Sequence, residues 1–253
     1  MPERHDRTTI CAIAVVSIGL AAILHEGLGH GLTAWLRGNA VTELTSNHLS
    51  STPPDRWVHA AGTIVNLLAA AICFAALHRA GNRSNFRYFL WLFGSINLLQ
   101  SAGYFLFSGA LGLGDWFMVI QGLPYESLLR VGMAAFGAIF YFRSVKWIAA
   151  QLRPFIADRT EYNTLARLPY LVASGFYCLA GAFDPLGIQL LFISTIPAAF
   201  GGMSGLLWAD SRLPSDVPQN PLPVQKSRAW TVAAALFAIL FVAVFGRGIV
   251  FTR

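Results

Sequence analysis

Three ionisable side chains fall within six residues of an otherwise apolar run. They are His25, Glu26 and His30, in the stretch LHEGLGHGLTAWL from residue 24 to 36. An ionisable group in a membrane helix costs roughly 2.5–3.5 kcal/mol on insertion scales, so such groups face a cavity or a partner. One histidine would be satisfied by a neighbouring helix. Two histidines and a glutamate together point to a metal site. Two imidazoles hold Zn²⁺, and a carboxylate beside them can take a proton from water.

The spacing is unusual. In the HExxH arrangement the histidines stand four apart and share a helix face. Here they stand five apart, and in a regular helix five residues separate side chains by roughly 140°. A π-bulge adds one residue to a turn and returns positions i and i+5 to one face. Gly27 and Gly29 lie within the interval, where missing side chains ease the distortion. The spacing therefore predicts a π-bulge between His25 and His30.

A zinc site that acts on a substrate needs a third protein ligand and an open position. Asp115 in GLGDWF, Asp184 in AFDPLG and His59 at the start of the second apolar run are the candidates. Asp115 also suits a helix N-cap, and Asp184 a turn before proline. Cys11, Cys73 and Cys178 are scattered through apolar stretches with no CxxC pair, which argues against a disulfide framework and a cysteine metal site.

The elements that must position these residues are membrane helices. The 253 residues are 55% hydrophobic and only 12% charged, with a mean hydropathy of +0.56. A soluble domain carries roughly 25% charged residues. The expected fold is all-α: a polytopic transmembrane helix bundle of about six to seven spans, in the bacterial inner or plasma membrane. Apolar runs of membrane-crossing length lie near 8–36, 58–77, 88–108, 128–150, 186–208 and 229–251. A shorter one near 170–183 is separated from its successor only by Asp184-Pro185. Residues 47–56 read as a Ser/Thr/Pro turn, and 209–228 as a proline-rich linker. The chain divides into a metal-binding core of three spans (1–125) and additional helices (126–253). The 18 Lys and Arg against 12 acids belong to loops rather than to nucleic-acid binding. With Asp184-Pro185 counted as a loop, most of the basic residues fall on the N-terminal, inside, face. Arg37, Arg56, Arg130, Arg247 and Arg253 fall on the other, and His25 and His30 then lie in the outer part of the first span.

HEGLGHGLTAWLRG resembles the HExxH helix of site-2 protease-type intramembrane zinc metalloproteases, with one residue inserted. AAGTIVNLLAA, 60 to 70, is similar to that family's Gly-Pro-x-x-Asn helix, with Thr63 in place of proline. INLLQSAGYFLFSGALGLGDW, 96 to 116, lies where the family places its third ligand. There Asn97 and Asp115 form a stretched version of Asn…Pro…Leu-Asp-Gly, with Gly-Asp-Trp in place of Leu-Asp-Gly. The resemblance covers residues 15 to 118. It implies Zn²⁺ held by His25, His30 and Asp115, with Glu26 as general base. Asn66 lies near the substrate, as an orienting or oxyanion-stabilising group. The substrate it implies is the transmembrane segment of another membrane protein within the bilayer, unwound so that the scissile bond is accessible. It also implies a site facing the cytoplasm, opposite to the charge-derived orientation. The rival expectation is a non-proteolytic membrane protein, either a cation or proton carrier or an inactive protease relative.

Overall fold

A computed structural model describes residues 4–81, 83–213, 218 and 220–251. Among the described residues six helices are long and apolar enough to cross a membrane, as an integral multi-pass protein requires: α1 (Arg7–Leu36), α2 (Arg56–Leu77), α3 (Ser84–Leu111), α5 (Glu126–Phe155), α7 (Ile188–Arg212) and α8 (Arg228–Gly246). Two shorter helices, α4 (Asp115–Ile120) and α6 (Leu168–Gly181), complete the helical fold. The apolar run near 170–183 lies in α6, which continues a π-helical turn, Asn163–Arg167, and is not one of the six.

The Asp184-Pro185 break is a true reversal. Arg167, before α6, pairs with Asp210 at the end of α7, while Asp184 between these helices reaches His48 at the other end of the bundle. The N-terminus joins the Arg167 end, where Val224 N–H donates to His5 Nδ1 and Asn85 bonds the backbone of Gln225. The segments rich in Lys and Arg therefore gather at one end. The linker expected over 209–228 is not free chain in its described part. It opens with a 3-10 turn, Ala209–Arg212, and Leu222 N–H donates to Pro154 O. Residues 214–217 and Gln219 lie outside the described residues, as does Arg253.

Two corrections concern backbone form. The expected turn over 47–56 is half of a hairpin, β1 (Ala40–Leu44) and β2 (Leu49–Thr52). The last helix stops at Gly246, and Ile249–Val250 form β3 on the free side of β1, giving the order β2-β1-β3. Gly248, with φ +80, makes this exit. Two-residue β3 supplies Val250 opposite Glu43 and Ile249 opposite Leu44.

The apolar core is continuous across residue 125, from Ile10 and Ile18 of α1 through Trp91 and Leu99 of α3 to Val145, Ala173 and Phe241. Within it α3 and α5 approach closely, for a β-carbon at Gly137 would meet the backbone of Leu106 at 2.3 Å. Small residues at such crossings are how membrane helices gain packing without a hydrophobic driving force between them.

His48 fastens the hairpin to the bundle. Its Nε2 lies 3.3 Å from Glu43 Oε2 and its Nδ1 3.3 Å from Asp184 Oδ2. Burial lowers the His48 pKa, but the hydrogen bond to Asp184, that residue's charge and the bond to Glu43 outweigh it, so the net shift is upward from 6.5. A group whose folded pKa is raised stabilises fully below the unfolded value and loses its contribution as pH rises through the folded one. The difference in Tm between the wild type and His48→Gln, measured in detergent, is expected to be largest below pH 6.5 and to shrink above it. A difference that stays flat across that range would contradict the ionic role of His48.

Candidate metal centre

The first helix changes its winding where the ionisable residues lie. Ile23–Gly31 is a nine-residue π-helix inserted between α-helical turns, and Leu32 N–H donates to Gly27 O, five residues back. The i, i+5 histidines are thereby brought to one face, as the spacing predicts. Their ring centroids stand 4.7 Å apart with the planes nearly perpendicular. His25, Glu26 and His30 are all buried. They offer ligand atoms lying within 4.8 Å of one another, so the group can hold a metal ion.

Two helices complete the cluster. The start of α2 is fixed by Asp55, whose carboxylate accepts from Trp57 N–H and pairs with Arg37. This places Val58 O 2.6 Å from His30 Nδ1. A carbonyl only accepts, so Nδ1 carries a proton and Nε2 is the nitrogen that faces the cluster. Asp115 arrives from the opposite side. Gly112 (φ +67) and Gly114 (φ +80) turn the chain sharply after α3. The Arg130 guanidinium lies beside this turn and donates to the carbonyls of Gly109 and Ala110. Asp115 is the first residue of α4, and the N-cap position that its sequence also suits is taken by Gly114.

The Asp115 carboxylate meets the histidines instead. Asp115 Oδ2 lies 3.2 Å from His25 Nε2 and 3.3 Å from His30 Nε2. Donors that share one tetrahedral ion with bonds of ~2.0–2.1 Å stand about 3.3–3.4 Å apart. The fit extends to α2, where glycine leaves the neighbouring space open. A β-carbon at Gly62 would sit 2.6 Å from Nε2 of both histidines. His59 Nδ1 stands 3.6 Å from the other Asp115 oxygen. Burial opposes ionisation of Asp115, but the His30 charge and hydrogen bonds from His25, His30 and His59 prevail, holding its carboxyl well below the usual carboxylate range.

Of the three candidates for third ligand, Asp115 alone reaches both histidines. Asp184 turns to His48 and accepts from Leu186 N–H, the turn role that its sequence also suits. His59 supports Asp115 from behind. Asn97 does not join the site. It lies buried in α3 and donates to Phe93 O of its own helix.

Glu26 Oε2 stands 4.0 Å from His30 Nε2, is buried, and has no hydrogen-bond partner among the described residues. Asn66 Oδ1 is likewise buried without a partner among them. Both residues line a small cavity of about 20 Å³, shared with His25, Asn47, Tyr104 and Tyr177. One water needs roughly 10–15 Å³ of such volume and two or more polar partners. A larger cavity of about 870 Å³ reaches Glu26, His30 and Asp115 from outside, between β2, the second half of α3 and α7.

Asn47 and Tyr177 are site residues that motif reading does not find. The Tyr177 hydroxyl donates to Ser46 O, and Ser46 N–H donates to Phe245 O. These bonds hold the hairpin loop over the cavity, and their partners are far apart in the chain. No protein-family model, curated protein or solved structure matches this chain.

Gly62 gives a direct test of the packing. Gly62→Ala places a methyl against both ring nitrogens, and overpacking of this kind costs about 1–3 kcal/mol. The variant is expected to bind Zn²⁺ at least ~10-fold more weakly than the wild type, by competition with a fluorescent chelator, because 1.4 kcal/mol is a factor of 10. Thr63→Ser, one residue on, is expected to bind as the wild type does.

Proposed function

We propose that this chain is an intramembrane zinc metalloprotease of the bacterial inner or plasma membrane, hydrolysing peptide bonds in a membrane-spanning segment of another protein. The observation that carries the reading is one arrangement. His25, His30 and Asp115 converge at metal-ligand separations, and an unpartnered Glu26 oxygen stands beside them over a one-water cavity. The resemblance of this region to site-2 protease-type enzymes agrees with it.

His25 Nε2, His30 Nε2 and Asp115 would hold Zn²⁺. When bound, the ion would supply a lowered pKa for water and a polarised scissile carbonyl. Glu26 acts as general base at Oε2, taking the proton from the attacking water and delivering it to the departing amine nitrogen. Asn66, which lines the same cavity, can donate its amide to the carbonyl oxygen as charge develops there. Val58 O holds the His30 tautomer, and His59 holds Asp115.

The larger cavity suits an extended peptide. Leu49, Ser50 and Ser51 of β2 line it on one side, and Ile193, Pro197 and Gly201 of α7 on another. The outer strand β2 pairs only with β1 among the described residues, so backbone donors and acceptors border the route to the site. A peptide bond inside a helix is shielded by its own hydrogen bonds, and such an edge rewards unwinding. With the basic end inside, the scissile bond lies in the outer half of the membrane, the side opposite to the one the resemblance implies.

A second reading rests on the same distances. Separations of 3.2 and 3.3 Å also suit imidazole–carboxylate hydrogen bonds, as in a membrane proton carrier. Glu26→Gln separates the two. With a transmembrane peptide substrate in proteoliposomes, loss of a general base is expected to lower cleavage by about 10²–10⁴-fold while about one zinc per chain is retained. His30→Ala is expected to lose both zinc and cleavage, and 1,10-phenanthroline to stop the wild type. Proton flux that falls in Glu26→Gln, from a protein that binds no zinc, would establish the carrier instead.

A further inference from the structure

A second cavity lies far from the metal centre, at the basic end. Helices α2 and α5 flank α3 without closing over it, and the trough between them has a volume of about 780 Å³. Leu98 of α3 lines its floor, Leu67 and Phe74 one wall, Phe140 and Trp147 the other. Ala70, Ala71 and Ala75 keep the α2 wall low. Such a trough faces hydrocarbon along most of its length.

Its mouth is different in kind. His78, Arg143 and Lys146 line it, all exposed, and among the described residues no acid does. None of these three makes an ion pair or hydrogen bond among the described residues, in contrast to Arg37, Arg130 and Arg167. Between Arg143 and Lys146 in the chain, Ser144 lines the same trough. It is 3% exposed, and among the described residues its Oγ has no hydrogen-bond partner. A buried hydroxyl with nothing to bond among the described residues, beside two uncompensated cations and an exposed imidazole and next to an apolar channel, has the mix of polarities of a phospholipid.

We propose that this trough binds one anionic phospholipid, its phosphate between His78, Arg143 and Lys146, the Ser144 hydroxyl donating toward the glycerol-phosphate oxygens, and an acyl chain along Phe74, Leu98 and Phe140. Charge complementarity selects the occupant. Basic pockets between membrane helices on the cytoplasmic side take anionic headgroups, and the positive-inside bias puts this mouth in that leaflet. A zwitterionic lipid would bring a further cation to a site that already holds Arg143 and Lys146. The site is independent of the metal centre and of the reaction proposed there.

The test is native mass spectrometry of detergent-purified, delipidated protein titrated with palmitoyl-oleoyl phosphatidylglycerol, and separately with phosphatidylcholine of the same chains. The wild type is expected to retain one phosphatidylglycerol at roughly tenfold lower lipid concentration than phosphatidylcholine, on the order of one basic contact or more at the membrane surface. The double variant Arg143→Gln/Lys146→Gln is expected to lose that preference. Ala71→Trp, which fills the trough, is expected to lose both lipids. Arg79→Gln/Arg83→Gln, at the same end outside the trough, is expected to keep the wild-type preference. All are measured on protein whose zinc content and Tm match the wild type. Should a glutamine variant fail that check, Arg143→Lys and Lys146→Arg, which keep the charges, take its place and are expected to retain the preference. Equal retention of the two lipids by the wild type would overturn the proposal. So would an unchanged preference in the glutamine double variant, an equal loss in the control, or a protein dimer in place of the lipid adduct.

Discussion

The structure depends on one departure from regular winding. At 3.6 residues per turn, His25 and His30 would point apart; with an extra residue in each turn from Ile23 to Gly31 they share a face. A π-turn gives up regular helical hydrogen bonding, and inside a bilayer no water makes good the loss. The distortion is tolerated because its inner face, His25, Glu26, Gly29 and His30, is buried. Gly29 lies directly on Gly62 of α2, where a β-carbon would come within 2.5 Å, and His30 Nδ1 is bonded to Val58 O. The local cost is set against a close helix crossing and a buried cluster of donors.

The rest of the fold arranges partners around that face. The α2 helix presents Gly62, so that both ring nitrogens remain accessible, and Asn66 one turn further on. The glycine turn after α3 swings Asp115 inward. The hairpin, held by β3, by the Tyr177 hydroxyl and by His48 between Glu43 and Asp184, covers the remaining side while leaving a passage. Two tiers of support are visible. Val58 and His59 orient groups that themselves touch the centre, and Asp55 and Arg130 fix the helix ends that carry them. Supporting contacts of this kind set ligand direction as firmly as the ligands themselves.

Much of this is legible from residue types and spacing. The five-residue interval and its two glycines predict the π-turn at His25–His30, and apolar run length predicts the helical bundle within a few residues at most ends. The choice among Asp115, Asp184 and His59 is not legible, because it turns on φ at Gly112 and Gly114 and on the partner of His48. The sheet escapes for a similar reason. Ala40–Leu44 is short, follows directly on a membrane helix, and is completed by two residues some 200 positions away. Asn97 is the reverse case, a residue that fits a motif in sequence but spends its amide on its own helix. Asn47 and Tyr177 reach the site only through long-range pairing, for which periodicity carries no signal.

The central claim is that a divalent ion gathers His25, His30 and Asp115 into one cluster. X-ray absorption at the zinc edge tests it most directly, on protein purified in mild detergent and supplied with one equivalent of Zn²⁺. The account predicts nitrogen and oxygen donors at about 2.0–2.1 Å with imidazole scattering from two rings, and no sulfur near ~2.3 Å. Zinc that washes away, or a shell containing cysteine sulfur or no histidine, would contradict it.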